Sequence, residues 1–268
     1  MSTGRTGGVA AVIAGALALA AFTAPAAQAA DTGIAVSNVV LNKGKPIVVG
    51  TTAEVEPTIS FHATWPAGYS MPDVDFEPFL YHGTTAAKGA ESGGIWAGGY
   101  TCYEDGSRAA DCEGTLYIDP RYRLDSNNDA TTWKLAFHAM LWTKSGQVKS
   151  EEYLTGKGSV AVKRAAKVTV NAAPEPVTKG KTLTVTGKAT RADWVKHTYT
   201  GHADKLAKLQ FRKAGTSTYS TVKTVRASST GALKTTVKAA ADGYWRWTFG
   251  ETATTGGATA AGDYVDVK

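Results

Sequence analysis

Apolar positions recur at every second residue through most of the chain beyond residue 33. In 133-WKLAFHAML-141, Trp133, Leu135, Phe137 and Ala139 fall on one face and Lys134 and His138 on the other. A period of two belongs to a half-buried strand, whereas a helix face repeats every 3.6 residues. The β-branched runs 34-IAVSNVVL-41, 45-KPIVVG-50 and 58-TISFHATW-65, bounded by Gly, Pro or Asn, read as further strands. The pattern continues in 181-KTLTVTGKAT-190, 208-KLQFRK-213, 219-YSTVKTVRA-227 and 233-LKTTVKAA-240, with turn signals KAGTS and STG between them. No stretch has the spacing of a long amphipathic helix. Many short strands at this spacing predict an all-β chain built as sandwiches.

The segment 242-DGYWRWTF-249 tests that reading, because it concentrates rings and an arginine in one place. Alternation puts Tyr244, Arg246 and Thr248 on one face and Trp245, Trp247 and Phe249 on the other. The expectation is a core strand whose second ring set is buried, with Asp242-Gly243-Tyr244 as a corner at its start.

Charge divides the chain in two. Residues 31–162 carry 10 Lys+Arg against 16 Asp+Glu, a net of −6, and residues 163–268 carry 18 against 7, a net of +11. Such a division predicts two units rather than one uniform surface. A faint repeat agrees: Lys43-Gly44-Lys45 precedes IVVG as Lys179-Gly180-Lys181 precedes TLTVTG, and 129-DATTWKLAF-137 parallels 242-DGYWRWTF-249. Two tandem immunoglobulin-like sandwiches are therefore expected, an acidic one over 31–164 and a basic one over 165–268. The join, SVAVKRAAKVTV, lacks a flexible spacer, which predicts a semi-rigid tandem.

The N-terminus reads as a targeting segment. Arg5 is the only charge before Asp31, 8-GVAAVIAGALALAAF-22 is apolar, and Ala27 and Ala29 form an A-x-A pattern. A signal peptide over 1–30 and an exported chain follow, with no second apolar run of the roughly 18–20 residues a membrane span needs. Cys102 and Cys112, in CYEDGSRAADC, fit an oxidising exterior and are expected to pair. Metal-ligating thiolates would need further Cys or suitably spaced His partners.

The second half, through KLQFRKAGTSTYSTVKTVRASSTGALKTTVKAAADGYWRWTF, resembles the Ig-like domains of secreted actinomycete proteins. The first half, with NKGKPIVVG, the Cys pair, IDPRYRL and DATTWKL, is similar to the N-terminal part of that family's longer members. The resemblance covers nearly all of residues 34–268. It implies the fold and the compartment and, because some members are labelled calcium-binding, an expectation of calcium.

Three segments carry candidate chemistry. In 119-DPRYRLDSNNDATT-132, Asp125, Asn127 and Asp129 have the spacing of the first ligands of a calcium loop. Ala130 and Ala136 replace the turn glycine and the bidentate glutamate, which excludes an EF-hand. A looser calcium cage would use Asp119, Asp125, Asn127 and Asp129; the simpler reading is an Asx-turn loop before a strand. In 93-GGIWAGGYTCYEDG-106, Trp96, Tyr100 and Tyr103 sit in a glycine-rich hairpin and could face a sugar or peptide, or simply cover the end of the sandwich. The segment 193-DWVKHTYTGHADK-205 reads as a long loop with Trp194, His197, Tyr199 and His202. The two histidines could share a metal, but no third ligand is evident and an ordinary surface loop is the simpler reading.

Enzymatic signatures are absent: no G-x-S-x-G elbow, no H-E-x-x-H and no phosphate-binding glycine loop. The basic half offers no helix for a nucleic-acid groove. The expected role is a secreted, non-catalytic module that binds an extracellular polymer or protein, in the medium or at the cell wall. The alternatives are a calcium-binding structural protein and, through a rigid Cys102–Cys112 loop, a protease inhibitor or enzyme.

Overall fold

A computed structural model describes residues 31–268, and the expected signal segment, 1–30, lies outside the described residues. The chain is all-β and its sheets pack as sandwiches. The first nine strands are β1 (Ala35–Leu41), β2 (Ile47–Val49), β3 (Thr58–Thr64), β4 (Val74–Tyr81), β5 (Ile95–Glu104), β6 (Ala109–Leu116), β7 (Thr132–Trp142), β8 (Val148–Leu154) and β9 (Ser159–Arg164). Short helices α1 (Ala86–Glu91) and α2 (Pro120–Arg123) fill two connections. The strands bond in the order β1-β3-β6-β5-β4-β7-β9-β2, with β8 on β7.

One strand serves both layers. Ile95 and Trp96 of β5 pair with β4, whereas Ala97 and residues 99–104 pair with β6, with a bulge between Ala97 and Gly99. The hydrogen-bonded path thus doubles back, and the two layers meet face to face. Phe61 of β3 stands edge-on to Phe76 of β4 at 5.9 Å and to Phe137 of β7 at 4.8 Å. Each such ring, fully removed from water, contributes about 1.5–3 kcal/mol.

Ten further strands follow: β10 (Ala166–Val168), β11 (Asn171–Ala173), β12 (Thr182–Asp193), β13 (Thr198–Gly201), β14 (Leu206–Lys213), β15 (Ser220–Arg226), β16 (Ala232–Lys238), β17 (Gly243–Phe249), β18 (Ala258–Thr259) and β19 (Asp263–Val265). One sheet gathers β10, β11, β13 and β16 around β12; the other runs β15-β14-β17-β18, with β19 also on β17. The strand β17 is the segment DGYWRWTF less its first residue. Trp245, Trp247 and Phe249 are buried, and Trp247 donates its indole N–H to the Thr186 carbonyl at 3.0 Å. Gly187 permits that crossing, since a Cβ there would stand 2.7 Å from the Trp247 ring. Tyr244 and Arg246 lie on the outer face: Arg212 covers Tyr244 at 4.1 Å, and Arg246 covers Tyr219 at 3.6 Å. The corner expected at Tyr244 is thus an outward stack, with Tyr264 at 5.1 Å on the other side.

Buried side chains form two main cores, one from residues 34–162 and one from residues 168–265, with a smaller satellite around Phe79. The exceptions come from the end of β12: Ala192 and Trp194 belong to the first core. Residues 193–205, expected as a loop, are mostly a hairpin in which β13 turns back on β12. A single residue, Ala165, separates β9 from β10. Its N–H donates to Val49 and its carbonyl accepts from Ala192, so the backbone is bonded on both sides of the join.

Candidate functional site

The three rings singled out in 93–106 do not share a surface. Tyr100 and Tyr103, three residues apart in a regular ladder, face opposite sides of β5, and the bulge between Ala97 and Gly99 separates Trp96 from Tyr100. Trp96 lies before it and stacks on Phe79 at 4.6 Å, in the satellite core closed by α1 and Tyr153. Tyr100 lies just after it and turns inward, 5.9 Å from Phe61, with its hydroxyl donating to Asp75 Oδ1 at 2.9 Å. Burial and the Asp75 carboxylate push that hydroxyl's pKa well up. Gly114 faces Tyr100 because a Cβ there would come within 2.6 Å of the Tyr100 backbone. Tyr103 alone points to solvent, 60% exposed.

Tyr103 stands over an open trough on the outer face of β1, β3, β6 and β5. One part, about 490 Å³, runs between Val40, Lys43, Thr101 and Thr115. The other, about 430 Å³, reaches Asn38, His62 and Asp111, and both are lined by Ser60, Tyr103 and Glu113. The edge strand β1 is bulged there: Asn38 and Val39 together oppose Phe61, and Asn38 has φ 52°. That bulge leaves Val40 51% exposed at the trough edge. The Cys102–Cys112 disulfide forms between directly opposed residues of β5 and β6 and fixes the hairpin that carries Tyr103.

At one end of the trough His62 Nδ1 lies 2.8 Å from Asp111 Oδ1. Sequence gives no warning of this pair, because it depends on the β3–β6 register that sets His62 opposite Asp111.

In the 119–132 loop, three of the four candidate calcium ligands have other partners. Asp119, almost fully buried, caps α2 by accepting from Arg121 N at 2.9 Å and pairs with the Arg121 guanidinium at 2.6 Å. That guanidinium holds the Asp119 carboxyl below its usual range. Asp129 accepts from Ser126 N at 2.9 Å and faces His82 at 3.3 Å. Asn127 reaches away, accepting from Trp194 N at 3.0 Å and donating to Asp193 at 3.1 Å. Asp125 is exposed. Among the described residues, Asp119, Asp125 and Asp129 do not converge within 4.8 Å of one another.

His202 is buried against Phe249, and burial followed by the Arg191 charge pushes its imidazole pKa down to about 4. His197 sits on the turn before β13 with φ 49°. The structure does not bring the two together as ligands: among the described residues, neither falls in a group that could hold a metal ion.

No family model matches the chain, and no curated protein matches it in sequence. Among solved structures, the chain is similar to the full ectodomain (Ig1–Ig3) of mouse nectin-like molecule 4, at 14% identity and TM-score 0.25 over 85% of this chain and 63% of that one. It is also similar, at 14% identity and TM-score 0.28, to the fibronectin(III)-like modules of Clostridium thermocellum CbhA, over 85% of this chain and 92% of that one. The same identity and TM-score relate it to the D00–D0 domain of intimin, over 85% and 98%. At such scores none of the three superimposes as a whole, and none carries a ligand or partner over to this chain.

Proposed function

We propose that this chain is an exported, non-catalytic binding module of two sandwiches, roughly 31–164 and 165–268, that holds a hydroxyl-rich extracellular polymer along the trough of the first. The observation that supports this reading is the trough itself, with an exposed Tyr103 ring set among Ser60, Thr101 and Thr115. An aromatic face covers the apolar side of a sugar ring at little entropic cost, and flanking hydroxyls match its polar edge. The trough is long and open, which suits a chain lying across a sheet better than a small molecule enclosed by a pocket. Asp73 is bound to Lys144 and Asp75 accepts from Tyr100. Export is supported by the disulfide and by the N-terminal pattern.

The test is retention of the purified chain on insoluble polysaccharide and cell-wall preparations at low and high salt. Retention that resists salt and falls at least tenfold in Tyr103→Ala, but stays unchanged in Trp96→Ala, is expected. Retention that salt abolishes would instead assign binding to the basic half, since exposed charges are screened within about 10 Å at 0.1 M salt.

A further inference from the structure

We propose that His62, Asp105 and Asp111 form a binding site for a divalent transition cation of the zinc class. One nitrogen of His62 and one oxygen from each carboxylate all lie within 4.8 Å of one another. Ligands held by one four-coordinate cation, with bonds of about 2.0–2.2 Å, stand about 3.3–3.6 Å apart. The closest pair, His62 Nδ1 and Asp111 Oδ1, is at 2.8 Å. The ligand atoms thus lie close to the spacing one cation requires.

The three ligands come from fixed places. His62 of β3 and Asp111 of β6 are opposed in the ladder, and Asp111 adjoins Cys112, which is tied to β5 by the disulfide. Asp105 sits at the start of the β5–β6 turn, which its own N–H closes by donating to the Ala109 carbonyl at 2.8 Å. A register set by a sheet and locked by a cross-link pre-organises ligands in a way that a mobile loop does not.

Charge and ligand type both select the ion. Glu104, Asp105, Asp111 and Glu113 face a single cation, Arg108, within residues 104–113. An imidazole nitrogen with two carboxylate oxygens suits zinc and its neighbours, whereas calcium prefers six to eight oxygens. Three protein ligands leave a coordination position open, as catalytic and exchangeable sites do and structural ones do not. His62 and Asp111 line the trough, so water can reach that position from there.

Without an ion, the exposed His62–Asp111 pair adds little to stability, as surface pairs generally do. Substitutions at these residues therefore leave the chain folded, and binding can be read separately from folding. It is also read separately from the polymer reading, because the probe is the metal alone.

The experiment is calorimetric titration of the purified, oxidised chain with zinc chloride in metal-free, thiol-free buffer. A parallel titration with cobalt(II) reports coordination through its visible absorption. The expected result is one equivalent bound, with affinity reduced at least tenfold in His62→Ala and several-fold in Asp105→Asn. Both variants should keep the wild-type unfolding midpoint in chelator, and excess calcium should not displace the cobalt band. The absence of saturable binding overturns the proposal. So does binding that survives unchanged in both variants, and calcium binding at the same site with equal affinity overturns the choice of ion.

Discussion

Single side chains set the acid limit of this fold. Asp73 closes a short turn before β4 by accepting from Ser70, and Lys144, from the turn after β7, reaches it at 2.6 Å. The Lys144 ammonium, followed by the Ser70 hydroxyl and N–H, holds the Asp73 carboxyl at about 2 instead of 3.8. A carboxyl whose folded value is depressed stabilises the native state above its unfolded value and ceases to do so as pH falls through the folded one. The advantage of the wild type over Asp73→Asn should therefore be constant from pH 7 to about 4 and vanish towards pH 2. Urea unfolding midpoints of the two proteins across that range measure it, and a gap that persisted undiminished at pH 2 would remove Asp73 as its source. His202 adds to the same limit with the opposite charge logic. A buried imidazole depressed to about 4 is neutral in the native state, whereas the unfolded chain takes up that proton near 6.5, so stability falls as pH drops from about 6.5 to about 4.

At the scale of elements, the β5–β6 hairpin combines what the sequence discloses and what it hides. Alternation identifies β7, β12, β14 and β17 because each has one face in a core, and burial on one face is what writes a period of two into a sequence. The cysteine pair was equally legible, since the turn-like EDG between the two brings opposed strand positions together. The bulge between Ala97 and Gly99 was not legible, because glycine-rich stretches fit a flat hairpin as well as a bent one. That single irregularity shifts the phase of Tyr100 and Tyr103 relative to Trp96, and alternation then turns Tyr100 inward and Tyr103 outward. The His62–Asp111 pair was hidden for a related reason: residues 49 apart in sequence meet only through a strand register. The hairpin's cross-link has a consequence of its own. Closing a loop over a sequence separation of 10 removes chain entropy worth about 2–3 kcal/mol from the unfolded state. Cys102→Ser with Cys112→Ser should lower unfolding free energy by about that amount. It should also weaken polymer retention through the loosened Tyr103 strand. An unchanged unfolding free energy in the double variant would mean that the ladder alone holds the hairpin.

For the molecule as a whole, the join determines whether the two halves behave as one. Trp194 follows the last residue of β12, yet its indole is fully buried in the first core and donates to the Gly50 carbonyl at 2.9 Å. Around it, Asn127 accepts the Trp194 N–H, and Lys163, itself nearly buried, meets Glu251 at 3.1 Å. Arg164 bonds the Ala192 carbonyl with its guanidinium, and its backbone pairs with Thr254 and Gly256. These contacts tie the acidic half to the basic half, and opposite net charge favours the same arrangement. The loop that supplied the four calcium candidates thus places one of them, Asn127, at this seam. Truncating a fully buried tryptophan costs about 3–5 kcal/mol, because its transfer free energy is lost and a cavity remains. Here the loss falls on contacts between the halves as well as on the first core. Calorimetry of the wild type should give one cooperative transition, and Trp194→Ala should split it, with the first half melting earlier. Two transitions already present in the wild type would show that the seam does not couple the halves. A single transition shifted as a whole in Trp194→Ala would mean that the remaining contacts, Lys163 with Glu251 and Arg164 with Ala192, suffice to keep the halves coupled.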